Sequence, residues 1–166
     1  MKEIAPAVLA VLAQAAGSLW AAQWVIDIAG QRLRPFATWS ASGSAPSLQD
    51  AQLMSLGFGN ATVAWCGRKP VWSTTVVPWP ISSGASASPP AASASAGLHG
   101  AVWFALKTDT AVYGVIELLG RALESKAPES LGCLERLGFR LGLALEESLH
   151  RDSPAQNLTS QRGPLA

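Results

Sequence analysis

The chain has 166 residues, 49% of them apolar and 14% charged, with a formal net charge of +1. That is one domain's length with enough apolar side chains for a core, which excludes disorder throughout; the sequence carries no basic stripe of the kind that phosphate backbones select, so nucleic acid is not an expected partner. Cys66 and Cys133 stand far apart in no pair motif, which excludes a disulfide framework and a zinc site and leaves no metal or cofactor evident.

From Ile4 to Ile26 no residue is charged, a length that would cross a bilayer. A membrane span and a secretory leader are both set aside. Glu3 spoils a positive leader, Pro6, Gln14, Gly17, Ser18 and Gln23 lower the hydropathy, and the pattern changes period at Gly17. The expectation is a cytoplasmic chain with free thiols. Pro6 suits a first helical turn, Val8, Leu9, Leu12 and Ala16 recur at helical spacing, and Gly17 suits the stop. Alternation follows: Trp20, Ala22, Trp24, Ile26 and Ile28 share one face and Gln23 and Asp27 the other, which predicts a half-buried strand. After a turn at 29–31, Arg32 to Ser40 reads as the return strand, with Leu33, Ala37 and Trp39 on one side.

Residues 42–47 read as a loop, and Ser47 caps a short helix through Met54. Residues 57–60 are another break, and Ala61 to Cys66 is apolar but short, read as a turn within a loop. A turn at 67–70 leads into a β-branched strand, Val71 to Val77. Residues 80–97 are almost entirely Pro, Ser, Ala and Gly, a low-complexity loop within the domain. Leu98, Gly100, Val102, Phe104 and Leu106 then alternate with His99, Ala101, Trp103 and Lys107. A turn at 107–110 connects to the last strand, Val112 to Leu119. Pro128, Glu129 and Ser130 open a long helix with Leu131, Leu134, Leu137, Leu141, Leu145 and Leu149 as its stripe. Gly138 and Gly142 weaken that helix but permit close approach by another helix. The expected fold class is α+β: a central antiparallel sheet of five to six strands with the N- and C-terminal helices on one face. One domain spans 1–150, followed by a flexible tail, 151–166.

Four segments resemble the GAF domains. "SLWAAQWVIDIAGQRLRPFATW" resembles that family's first hairpin, "LGFGNATVAWCGRKPVWSTTVV" its central loop and third strand, "GLHGAVWFALKTDTAVYGVIELLG" its closing hairpin, and "LGCLERLGFRLGLALEE" its exit helix. The resemblance covers about Ala7 to Leu149. It implies a GAF/PAS-like sheet with helices behind it and, on the opposite face, a pocket roofed by the central loops. It further implies a sensory or regulatory role, in a homodimer whose output domain is a kinase, a cyclase or a chemotaxis transducer. The tryptophan-rich first strand suits bacterial sensors. Three activities of such domains are not implied: the 80–97 loop has no cysteine for bilin attachment, the Asn-Lys-Phe-Asp-Glu signature of cyclic-nucleotide binders is missing, and Cys66 and Cys133 do not form the cysteine cluster of the methionine sulfoxide reductases.

The candidate site is aromatic. Phe58, Trp65, Trp72, Trp79, His99 and Trp103 fall in the segments that the resemblance places around the pocket, where ring walls suit a flat apolar ligand or a cation. The competing expectation is that these rings only fill the core. Trp20, Trp24 and Trp39 are assigned to core. Glu117, a carboxylate in an apolar strand, is expected at solvent or anchoring a loop N–H. A Cys66–His99 thiolate pair is the one catalytic arrangement to weigh, against a buried structural thiol. Leu134, Leu141, Leu145 and Leu149 form the candidate dimer interface. Three functions therefore compete: a non-catalytic ligand sensor, a ligand-free dimerisation scaffold, and a redox enzyme using Cys66.

Overall fold

The first helix, α1, spans Ile4–Ala15 and buries Leu9 and Ala13 against the sheet. It ends on Gly17, whose φ of 64° is open to glycine at no steric cost. Gly17 N–H donates to Gln14 O and Ser18 N–H to Ala13 O, the paired bonds of a Schellman stop. The computed structural model describes residues 4–27, 32–41, 54–55, 60–73, 100–120 and 128–152.

Six antiparallel strands follow in the sheet order β3-β2-β1-β6-β5-β4: β1 (Trp20–Asp27), β2 (Arg32–Ser40), β3 (Met54–Ser55), β4 (Val71–Ser73), β5 (Gly100–Lys107) and β6 (Val112–Gly120). The helices α2 (Asn60–Gly67) and α3 (Pro128–Asp152) complete the described elements. α1 and α3 pack on one face, as the leucine stripe predicts. Leu134, Leu137, Leu141 and Leu145 meet Val102, Phe104 and Ile116 there, beside Leu9 and Ala13 of α1. The buried side chains of Leu9, Val102, Phe104 and Ile116 each contribute about 1.5–3 kcal/mol. α2 packs on the other face, where Ala61 and Ala64 meet Ala22, Trp24 and Trp103.

The antiparallel six-stranded sheet and the shared face of the terminal helices agree with the expected class. Several local expectations are corrected. Ala61 to Cys66 lies in a helix, α2. Met54 lies in a strand, paired through Leu33, rather than at the end of a helix; residues 47–53 are outside the described residues, as are 80–97, 74–77 of the predicted fourth strand and the tail beyond Asp152. Leu33 does not share a side with Ala37 and Trp39. The register passes from Gln23↔Ala37 to Trp24↔Pro35, so Phe36 is an inserted residue, and this bulge sends Leu33 to the α2 face. β1 is covered on both faces rather than half-buried, since Gln23 is itself buried.

Gly138 and Gly142 serve a strand, not a second helix. A Cβ on Gly138 would stand 3.3 Å from the Ala105 carbonyl carbon, and one on Gly142 2.5 Å from the Lys107 backbone nitrogen. α3 thus lies directly on the β5 backbone. No helix among the described residues is long and apolar enough to cross a membrane; the uncharged stretch 4–26 is divided between α1 and β1.

Candidate functional site

Polar and aromatic groups gather on the α2 face, although the buried indole N–H of Trp72 on the other face and the Ser18 hydroxyl also have no partner among the described residues. Alternation along β1 directs Trp20, Ala22, Trp24 and Ile26 to it, and alternation along β6 directs Val115, Glu117 and Leu119. β5 adds Ala101 and Trp103, and α2 closes over them with Ala61, Ala64 and Trp65.

Glu117 lies in the middle. Its cross-strand neighbours are Ala22 on β1 and Trp103 on β5. It is 1% exposed, so the solvent-facing expectation is corrected. Trp24, which is 3% exposed, donates its indole N–H to Glu117 Oε2 at 2.8 Å. A buried carboxylate needs such donors, because losing water without replacement costs several kcal/mol. Beside it, the indole N–H groups of Trp103 and Trp20 are buried and have no hydrogen-bond partner. Each unmet buried donor costs about 1–3 kcal/mol. The face therefore combines aromatic walls, a satisfied acid and two donors that lack an acceptor.

Of the residues expected at the site, Trp65 and Trp103 lie on this face. Trp72 does not: its place on β4 turns it to the opposite side, among the residues packed under α1 and α3. Phe58, Trp79 and His99 are outside the described residues. Cys66 is exposed on α2 rather than buried, and Cys133 is exposed on α3 across the sheet. Leu134, Leu141 and Leu145 pack into this domain's own core, which takes three of the four candidate interface leucines off an open seam; Leu149 is 49% exposed. The residues of this face not expected as candidate site residues are Trp20, Trp24 and Glu117. Their signal was present in the shared parity of Trp20 and Trp24 and in an acid within an apolar strand. Among the described residues no cluster of three or more His, Cys, Asp or Glu could hold a metal ion.

A polar bridge joins α2 to α3 around the end of the sheet. Arg68 follows α2 at a φ of 53° and donates to the carbonyls of Thr108 and Ala111 in the β5–β6 turn. Lys107 Nζ donates to Arg68 O at 2.6 Å and to Glu135 Oε1 of α3 at 2.7 Å. That hydrogen bond holds the Glu135 carboxyl below its ordinary 4.5. Farther along α3, Tyr113 O–H donates to Glu146 Oε1 at 2.6 Å, which raises the phenol above its ordinary 10.0.

No family model matches the sequence, and no curated relative is similar to it in sequence. Solved structures are similar in fold. The GAF domain of a phosphoenolpyruvate-protein phosphotransferase from Coxiella burnetii superposes with a TM-score of 0.65 at 14% identity, over 90% of this chain and 84% of that one. The second GAF domain of DevS from Mycobacterium smegmatis gives 0.63 at 17% identity, over 88% and 94%. The free methionine-R-sulfoxide reductase from Neisseria meningitidis, in complex with its substrate, gives 0.58 at 18% identity, over 86% and 78%.

Proposed function

Starting from the GAF fold that this chain adopts, we propose that it is a non-catalytic sensory or regulatory domain of a cytoplasmic signalling protein. Its α2 face receives a small ligand with a flat apolar body and a hydrogen-bond acceptor. The observation that carries this reading is the buried, acceptor-less indole N–H of Trp103 beside Glu117. A ligand oxygen that accepts this N–H offsets a cost of about 1–3 kcal/mol, and the surrounding rings supply apolar contact area. Occupancy moves α2, and the Arg68–Lys107–Glu135 bridge carries that movement to α3. The GAF domains of a phosphotransferase and of DevS among the fold neighbours support the role. A homodimer seam would use the outer sides of α1 and α3, where Val11 and Leu149 are exposed, with a kinase, cyclase or chemotaxis transducer as the output domain.

Native mass spectrometry of the freshly purified chain reads retained ligand and dimer mass together. A bound molecule with a carbonyl, carboxylate or similar acceptor is the expected result. Trp103→Phe removes the donor along with part of the ring, so it weakens that ligand about fivefold to tenfold. A purified chain that retains no such molecule sinks the reading.

One observation favours a scaffold instead. Trp24 and Trp103 are only 3% and 5% exposed, so these rings already fill much of the face. A ligand-free dimer would decide for that function. The methionine sulfoxide reductases of the same fold keep an enzyme in view, but Cys66 and Cys133 lie on helices at opposite faces of the sheet and form no cysteine pair.

A further inference from the structure

Away from the α2 face, the α2–β4 junction, the β5–β6 turn and the first half of α3 bound an open groove of about 670 Å³. Five of the chain's 12 lysines and arginines line it: Arg68, Lys69, Lys107, Arg136 and Arg140. Asp109 and Glu135 are the acids among its described lining residues, and Phe139 is the large apolar group. Such concentration is unexpected in a chain whose net charge is only +1.

The five cations are not equivalent. Lys107 is spent on Arg68 O and the Glu135 carboxylate. Arg68 is spent on the turn carbonyls of Thr108 and Ala111. Arg136 reaches only the Cys133 sulfur, 3.1 Å away, a weak acceptor that leaves its charge uncompensated. Lys69 and Arg140 form no ion pair among the described residues. All three of these remaining cations are exposed. Two tied cations thus build the walls, and three exposed ones make no ion pair among the described residues, although Lys69 adds to the attraction on Glu135.

We propose that this groove docks an acidic segment of a partner protein. Arg136 and Arg140 stand about one helical turn apart along α3, and Lys69 faces them from the α2–β4 junction. A peptide lying along α3 meets all three cations, with an apolar side chain set over Phe139. An open groove favours a peptide over a small anion, because small-ligand sites enclose most of the ligand's surface. Guanidinium groups pair with carboxylates in two-toothed fashion, which gives such a surface orientation as well as attraction. Exposed pairs are individually weak and screened by salt, so the docking is a fast, salt-sensitive contact.

The test is fluorescence anisotropy with the whole chain and a fluorescein-labelled peptide of Glu-Glu-Leu repeats, followed at low and moderate salt. Saturable binding that weakens about fivefold to tenfold between about 50 and about 300 mM salt is expected. Lys69→Glu with Arg140→Glu should weaken it about tenfold or more, while Arg151→Glu, a charge reversal on α3 outside the groove, changes it less than about twofold. Because the reversed side chains are exposed, the melting curve stays where it was; Lys69→Gln with Arg140→Gln serves as the milder pair. Absent saturable binding, or an equal loss on Arg151→Glu, overturns the site. Tighter binding of a single-stranded oligonucleotide of equal charge overturns its assignment to an acidic protein segment.

Discussion

Gly142→Ala should destabilise the domain while stabilising the isolated helix. In water, alanine in place of glycine favours an α-helix by about 1 kcal/mol. In the domain the new Cβ would stand 2.5 Å from Lys107 N, with the carbonyl of the same residue closer still. Carbon contacts are comfortable at about 3.5–4.0 Å. The obstacle is strand backbone, paired across the sheet through Val112, so it cannot swing aside as a side chain would. α3 must lift by roughly 1 Å, which also loosens Leu141 and Leu145 in their seats on the core. Overpacking of this kind costs about 1–3 kcal/mol, and strand backbone puts the case at the upper end. Subtracting the propensity gain leaves a net loss of about 1–2 kcal/mol, or a fall in Tm of about 3–8 °C. Gly132→Ala is the internal control. Its Cβ meets only Arg136 Nη1, at 3.6 Å, so the propensity gain stands alone and Tm rises slightly. Circular dichroism melts of the whole chain, with helicity of a peptide spanning 128–152, read both effects. A Gly142→Ala chain that melts higher than the parent refutes the direct seating of α3 on β5.

Trp24→Phe removes a donor from the buried Glu117 carboxylate and should cost about 1–3 kcal/mol in urea unfolding; a loss below about 0.5 kcal/mol would mean that the pair is not formed. Glu135 has its folded pKa lowered by Lys107, so its contribution is complete above pH 4.5 and fades as pH falls through the lower folded value. Glu135→Gln should therefore lower stability at neutral pH and flatten the acid limb of the curve, leaving the most acidic region little changed. Tyr113 is the chain's single tyrosine, so phenolate absorbance reports it alone. Its midpoint should lie above 10.0, the stability it lends should be complete below 10.0 and lost as pH rises through the midpoint, and Glu146→Gln should bring the midpoint down.

Much of the sheet was legible because its strands carry strong period-two patterns. Arg32–Ser40 was found with its bounds, alternation up to Lys107 marked β5, and the apolar run Val112 to Leu119 marked β6. What failed had local physical causes. An inserted residue at Phe36 reverses side-chain parity, and nothing in Arg-Pro-Phe-Ala announces an insertion. α2 buries Ala61 and Ala64 but exposes Val63, so no apolar stripe marks it as a helix. Trp72 was placed by analogy with a pocket loop, and its parity on β4 sent it to the other face. The leucine stripe was read correctly as a contact surface, yet the glycines that let α3 settle on β5 direct Leu134, Leu141 and Leu145 inward. The basic groove was invisible to a linear reading because its cations come from separate segments at 68–69, 107 and 136–140.

β1 pairs with β6, and Trp24 meets Glu117 across 93 residues of chain. The centre of the sheet is therefore its most non-local seam. A nascent chain can close the first hairpin early, but one long edge of β1 stays open until the last strand has been synthesised. Closing a loop of that length is entropically costly and comes before the contacts that reward it, so folding should be slow for a chain of this size. During that interval the open edge carries Trp20 and Trp24, the kind of strand that recruits other chains. A product truncated before Val112 would keep that edge permanently, and aggregation rather than a smaller folded domain is its expected fate.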